Sequence, residues 1–244
     1  CEIGIRPQFP LRWRSGIRAA GFFAACICNP LPQLQVAAEL ASVIVKLCMG
    51  LVGGGYGDLA WTQREYTLAN ALLQDDAASH ARLGCGFITW KLDENADALD
   101  WVLTQKPCAI MLSFGDPRPY AARIAAAGAP LICQVQRLDQ VPQAIEAGAS
   151  VIVAQGGEAG GHGASALEGR STFTLVPEIA DYLTTHSPNT LLLAAGGVAD
   201  GRGLAAALML GADGALVGSR LWATTESLAA TGAKNQATHR SEER

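Results

Sequence analysis

Short apolar runs alternate with longer amphipathic ones along most of this chain. The apolar runs fall at residues 49–53, 83–90, 109–114, 130–135, 150–154, 190–195 and 214–217. Each is brief and shows little two-residue alternation, which suits strands covered on both faces, as in a parallel sheet. Between them lie stretches of helical period. Ala96, Leu99, Val102 and Leu103 precede a break at Lys106-Pro107, and residues 117–127 end at Gly128. Residues 138–147 end at Gly148, 176–185 precede Pro188, and 201–210 end at Gly211. Glycine just past a helix supplies the left-handed residue on which many helices stop. Asp200 stands where an N-cap belongs, its carboxylate able to accept from the first turn.

A repeated strand–helix order implies parallel strands joined by crossover helices. These seven strands, with one more at residues 21–28, would close a (β/α)8 TIM barrel, an α/β fold; an open doubly wound sheet is the competing arrangement. The expected organisation has three parts. Residues 1–48 form an atypical N-terminal segment holding the possible first strand and a helix at 34–47, with Leu34, Ala37, Leu40, Ile44 and Leu47 as its apolar positions. Residues 49–232 form the barrel, and 233–244 a polar tail.

Composition narrows the function classes. With 244 residues, half of them hydrophobic and 16% charged, the chain can bury a large core. A net charge of −4 gives no basic face for nucleic acid. No run is long and apolar enough to span a membrane. Arg12, Arg14 and Arg18 ahead of apolar residues 19–28 loosely mimic a secretory signal, in competition with the strand at the same place. The seven cysteines, Cys1, Cys26, Cys28, Cys48, Cys85, Cys108 and Cys133, are odd in number and sit mostly in apolar runs. That reads as free thiols in a reducing cytoplasm, and Cys26-x-Cys28 lacks the second pair a zinc site needs, so no metal is expected.

Glycines cluster where strands end. Ala195-Gly196-Gly197-Val198-Ala199-Asp200 follows one strand and opens a helix; Leu216-Val217-Gly218-Ser219-Arg220 follows the next. Glycine lets backbone N–H groups approach an anion, and a helix N-terminus adds partial positive charge. In a TIM barrel these are the last two strand–helix loops, the common place for a phosphate. An earlier loop, Gln155-Gly156-Gly157-Glu158-Ala159-Gly160-Gly161-His162-Gly163, can lie flat against a planar ligand. Gln155 can donate and accept at the edge of a heteroaromatic ring, and His162 can act as a base near neutral pH. Glu158 is either a second acid–base group or a helix-capping, structural carboxylate. Residues 51–58, rich in glycine, shape the barrel mouth or make a turn, while residues 84–90 and Gln134 stand where they could touch a ligand.

The run from Gln155 to His162, with Ala194-Ala195-Gly196-Gly197-Val198-Ala199-Asp200-Gly201-Arg202-Gly203 and Gly211-Ala212-Asp213-Gly214-Ala215-Leu216-Val217-Gly218-Ser219-Arg220, resembles the nitronate monooxygenase family, formerly called 2-nitropropane dioxygenases. The likeness extends from about residue 50 to residue 227. It implies an FMN-dependent TIM barrel oxidoreductase. In that light Gln155, Gly156, Gly160 and Gly161 meet flavin, while Gly196, Gly197, Leu216, Val217, Gly218 and Ser219 hold its phosphate. His162 matches the family's active-site histidine, the base toward a nitroalkane. The implied reaction takes a nitronate or nitroalkane and oxygen to a carbonyl compound and nitrite. The family's Pro-Met or Gly-Met loop after the first strand has no counterpart in residues 1–48, where Asn29-Pro30 stands instead. Two other functions compete: an FMN-dependent reductase taking electrons from NAD(P)H to a quinone or enoyl thioester, and a flavin-binding barrel fragment without turnover.

Overall fold

The computed structural model describes residues 22–26, 48–73, 76–160, 162–164, 168–222, 232 and 235. Eight parallel strands close a barrel in sequence order: β1 (Phe22–Cys26), β2 (Met49–Gly55), β3 (Leu83–Ile88), β4 (Ile110–Ser113), β5 (Leu131–Val135), β6 (Val151–Gln155), β7 (Leu191–Ala195) and β8 (Gly214–Leu216). Closure runs through β1, where Ala24 pairs with Met49 on one side and Leu216 on the other. The open-sheet alternative is therefore excluded, and the segment before residue 49 supplies the barrel's first strand. The described helices are α1 (Leu59–Leu73), α2 (Ala77–His80), α3 (Thr89–Leu92), α4 (Asp97–Thr104), α5 (Arg118–Ala126), α6 (Val141–Glu146), α7 (Thr172–His186), α8 (Gly201–Met209) and α9 (Ser219–Trp222).

The lack of alternation in the strands has its cause in two buried layers. Leu51, Met111, Ile132, Val153 and Leu193 meet inside the barrel. Their neighbours one residue along, such as Val52, Leu112, Cys133, Ile152 and Leu192, pack outward against Leu99, Ile124, Ile179 and Leu183 of the helices. Each strand is thus apolar on both faces, the pattern of a barrel whose interior is packed.

Several elements depart from expectation. The strand expected at 83–90 stops at Ile88, because Thr89 and Trp90 already belong to α3. Helix α1 has no clean apolar stripe to announce it: it buries Thr62 and Glu65 while exposing Leu68 and Leu72. Helix α7 starts at Thr172, ahead of the expected 176, because the Glu158 carboxylate, from the start of the loop that leads into it, accepts from its first N–H. Asp200 caps α8 as expected, accepting from the N–H groups of Arg202 and Gly203. The helix expected at 34–47 lies outside the described residues, as does most of the 233–244 tail. Cys108 and Cys133 are free thiols, and burial pushes both up to about 12. No helix among the described residues is long and apolar enough to cross a membrane.

Candidate functional site at the barrel mouth

Parallel strands bring their C-terminal loops to one end of the barrel, so β6, β7 and β8 deliver the three glycine loops side by side. Those loops touch through their glycines. The N–H of Gly156 donates to the carbonyl of Ala195 at 2.8 Å, tying the β6 loop to the β7 loop. A Cβ on Gly196, whose φ is +108°, would stand 2.8 Å from both the backbone N of Ala159 and the Oγ1 of Thr172. A Cβ on Gly160 would collide with the Oγ of Ser219, which ties the β6 loop to the start of α9.

One carboxylate organises this corner. Oε2 of Glu158 accepts from the N–H of Thr172 at 2.8 Å and from its hydroxyl at 2.9 Å. The same hydroxyl lies 3.2 Å from the carbonyl oxygen of Ala195 and 3.0 Å from that of Gly196. Burial pushes the Glu158 carboxyl up, but the hydrogen bonds from Thr172 and the loop backbone outweigh it and hold the group below its ordinary value. Of the two roles the sequence left open for Glu158, the geometry gives the structural one: it caps α7 and clamps the loops.

Gln155 is buried at the tip of β6, 7% exposed. Its Oε1 accepts from Nε2 of Gln134 at 2.7 Å and Nε2 of Gln136 at 2.8 Å. Its own Nε2 donates to the carbonyl oxygen of His162 at 2.8 Å. The carboxamide therefore holds the loop as well as facing the mouth. His162 is exposed, with its ring 5.8 Å from that of Phe114. Phe114 follows β4 with a φ of +63°, a left-handed conformation uncommon outside glycine and frequent where a site needs an unusual backbone. It lines a cleft of about 270 Å³ with Gly115, Gln134, Gln136 and Arg137, at the ends of β4 and β5. The cleft also takes in Leu112, Cys133 and Ala144 from the layer between strands and helices, so it lies beside the glycine loops, and His162 meets it only through the ring of Phe114.

The expected cofactor residues fall into two groups. Gly156 is buried against Thr172, and Gly196 against Ala159 and Thr172, so packing between loops accounts for both. The side chain of Leu216 is buried inside the barrel, which leaves only its backbone to face a ligand. Gly197, exposed with a φ of +72° and no atom nearer its Cβ position than 3.5 Å, stands at the open end of its loop, and half-buried Gly218 directly precedes α9. The N–H groups of Gly197, Gly218 and Ser219 have no acceptor among the described residues. Val217 is half-buried beside them. The first-turn N–H groups of α8 are already taken by Asp200, so the helix end contributes less to an anion than the sequence suggested. Loop N–H donors of this kind fit the phosphate of a flavin mononucleotide. Gly161 lies outside the described residues.

Three residues here carried no expectation: Phe114, Gln136 and Thr172. Gln136 had a usable signal, since its two-residue offset from Gln134 at the end of β5 sets both on the inner face. Thr172 and Phe114 had none, because one depends on a distant carboxylate and the other on a backbone angle.

Comparison with known proteins agrees with this placement of loops. The chain is 37% identical over 164 residues to nitronate monooxygenase npaC of Metarhizium robertsii, covering 63% of this chain and 44% of that protein. It is 33% identical over 136 residues to a probable nitronate monooxygenase of Staphylococcus aureus, covering 53% and 37% of the two chains. The chain thus spans less than half the length of either relative. Among solved structures, nitroalkane oxidase from Streptomyces ansochromogenes superposes with a TM-score of 0.68 at 22% identity, covering 87% of this chain and 69% of that one. FabK from Thermotoga maritima superposes with a TM-score of 0.67 at 24% identity, covering 84% and 60%. At such identities the two structures speak for the barrel alone. The sequence-family match is more specific: the model described as nitronate monooxygenase aligns with residues 69–244, all three glycine loops included, and on that extent the chain belongs to the nitronate monooxygenase family.

Proposed function

We propose that the barrel binds FMN at its C-terminal mouth and oxidises nitronates or nitroalkanes with oxygen, giving a carbonyl compound and nitrite. The observation that carries this reading is the convergence of His162, Gln155 and the two last glycine loops at one end of the barrel. Gly197, Gly218 and Ser219 would hold the phosphate through backbone N–H groups, with Gly196, Leu216 and Val217 shaping the cradle. Gly160 and Gly161 would let the β6 loop lie close to the ring system, with Gly156 seating that loop against α7. Bound flavin supplies the redox chemistry, taking electrons from the nitronate and passing them to oxygen. His162 removes the proton next to the nitro group of a neutral substrate, and its exposed ring, packed near Phe114, leaves a small molecule access. Gln155 has one Nε2 hydrogen beyond the one it gives to His162, so it offers a ligand a donor. A small nitro compound and oxygen are the partners, and the free thiols suit a cytoplasmic setting.

The test separates proton removal from electron transfer. His162→Asn should retain FMN while losing about 10²- to 10⁴-fold in kcat/KM toward neutral nitroalkanes, with a much smaller loss toward preformed nitronates. Equal loss for both substrate forms would remove His162 from the role of base.

A further inference from the structure

The inner wall of the barrel changes character near its C-terminal end. Met111, Ile132 and Val153 fill the interior with hydrocarbon. Two residues further along the same strands stand Ser113, Gln134 and Gln155, with Gln136 just past the end of β5. The three glutamines form one network. Gln155 is its buried centre, and its oxygen accepts from both other side chains. A carboxamide oxygen has two lone pairs, so this acceptor is fully used. Nε2 is left for the carbonyl oxygen of His162, at 2.8 Å. Gln136 is anchored in turn: its backbone N–H donates to Oε1 of Gln140 at 2.7 Å.

The network has a direction. Turned end for end, Gln155 would set its NH₂ against two other NH₂ groups and its oxygen against a carbonyl oxygen. All three hydrogen bonds would be lost in a buried place, where unpaired polar groups are costly.

We infer that Gln134 and Gln136 are positioning residues for His162. By satisfying the Gln155 oxygen, the two glutamines hold its carboxamide the way up that reaches the His162 carbonyl, and this fixes where the imidazole stands near Phe114. The inference rests on the reading of His162 as the base, and neither glutamine need touch the reacting atoms. The same lock makes Gln155 present a donor, never an acceptor, to the mouth.

Two variants test it. Gln136→Glu keeps the size of the side chain but replaces a donor with an acceptor, so residue 136 and the His162 carbonyl then demand opposite orientations of Gln155. The double variant Gln134→Met with Gln136→Met keeps volume and removes both donors. Two readouts are needed: amide hydrogen exchange in peptides spanning residues 156–164, and the ratio of kcat/KM for a neutral nitroalkane to that for its nitronate. Both variants should speed loop exchange roughly tenfold, about the loss of one buried hydrogen bond, and lower the ratio by a similar factor. Gln136→Met alone, with Gln134 still in place, should do less. Loop exchange unchanged in the double variant overturns the inference. So does faster exchange with an unchanged ratio in an enzyme that turns over both substrates. If the wild type ignores nitro compounds altogether, the proposed function is what has failed, and exchange alone decides whether the glutamines hold the loop.

Discussion

Gly156→Ala probes the corner on which the site is built. Gly156 is buried, and a methyl group there would overlap both the backbone N and the Oγ1 of Thr172, the first residue of α7. Backbone cannot rotate away as a side-chain tip can, so α7 must move off the β6 loop. Overpacking of this kind costs roughly 1–3 kcal/mol. Displacing Thr172 also weakens its two bonds to Glu158, a loss of roughly 0.5–2 kcal/mol by analogy with a deleted helix cap. The sum is roughly 1.5–5 kcal/mol, which in a protein of this size lowers Tm by roughly 3–20 °C. Gly201→Ala is the matched control: nothing lies within 4 Å of its Cβ position, and alanine should be neutral or slightly stabilising there. Urea denaturation of both variants without flavin gives the comparison. A Gly156→Ala protein within about 0.5 kcal/mol of wild type would refute the packing argument, since surface changes of no structural consequence fall in that range.

Other outcomes follow from the same geometry. Gly197→Val has room for its side chain but sits at a φ of +72°, so it should fold with roughly 1–3 kcal/mol of backbone strain and bind FMN at least about tenfold more weakly; unchanged FMN affinity would move the phosphate elsewhere. Glu158 has a folded-state value below its ordinary one, so its carboxylate stabilises the fold above about pH 4.3 and that contribution fades as pH falls through the lower, folded value. The stability difference between wild type and Glu158→Gln should therefore shrink on acidification below that point, and a difference that stays constant down to pH 3 would assign the effect to something other than charge. Cys108 and Cys133, raised to about 12 by burial, should resist alkylation at pH 8 in the native protein and react once it is unfolded, as peptide mass spectrometry would read. Rapid native labelling at either would mean that the barrel wall opens there.

What the sequence made legible was whatever burial imposes on both faces of a segment. Strands β2 through β8 read as apolar runs because Met111 and Leu112, or Val153 and Ala154, are both buried although they point to opposite sides. Helix α1 stayed hidden because Thr62 and Glu65 join Tyr66, Ala69 and Leu73 on the buried face while Leu68 and Leu72 lie outside it, which blurs the usual stripe. The ends of elements depended on partners distant in sequence, as Thr172 shows by starting α7 on the carboxylate of Glu158. At the site, glycine spacing pointed to the right loops and said less about which glycine serves a ligand and which serves a neighbouring loop. Gly156 and Gly196 meet Thr172, whereas Gly197 is exposed with room at its Cβ position. The role of Gln136 depended on a bond from β5 to β6, which no local pattern encodes.

The central claim is that this barrel mouth holds FMN and passes electrons to it from a nitronate. The most direct measurement is the visible absorption of the protein reconstituted with FMN, followed during anaerobic addition of a nitronate. The account predicts that flavin stays with the protein through desalting, that its bands bleach on nitronate, and that they return when oxygen is admitted with release of nitrite. Bound flavin that ignores nitronate and bleaches only with a reduced nicotinamide would contradict the proposed reaction. Flavin that washes off would contradict the site itself.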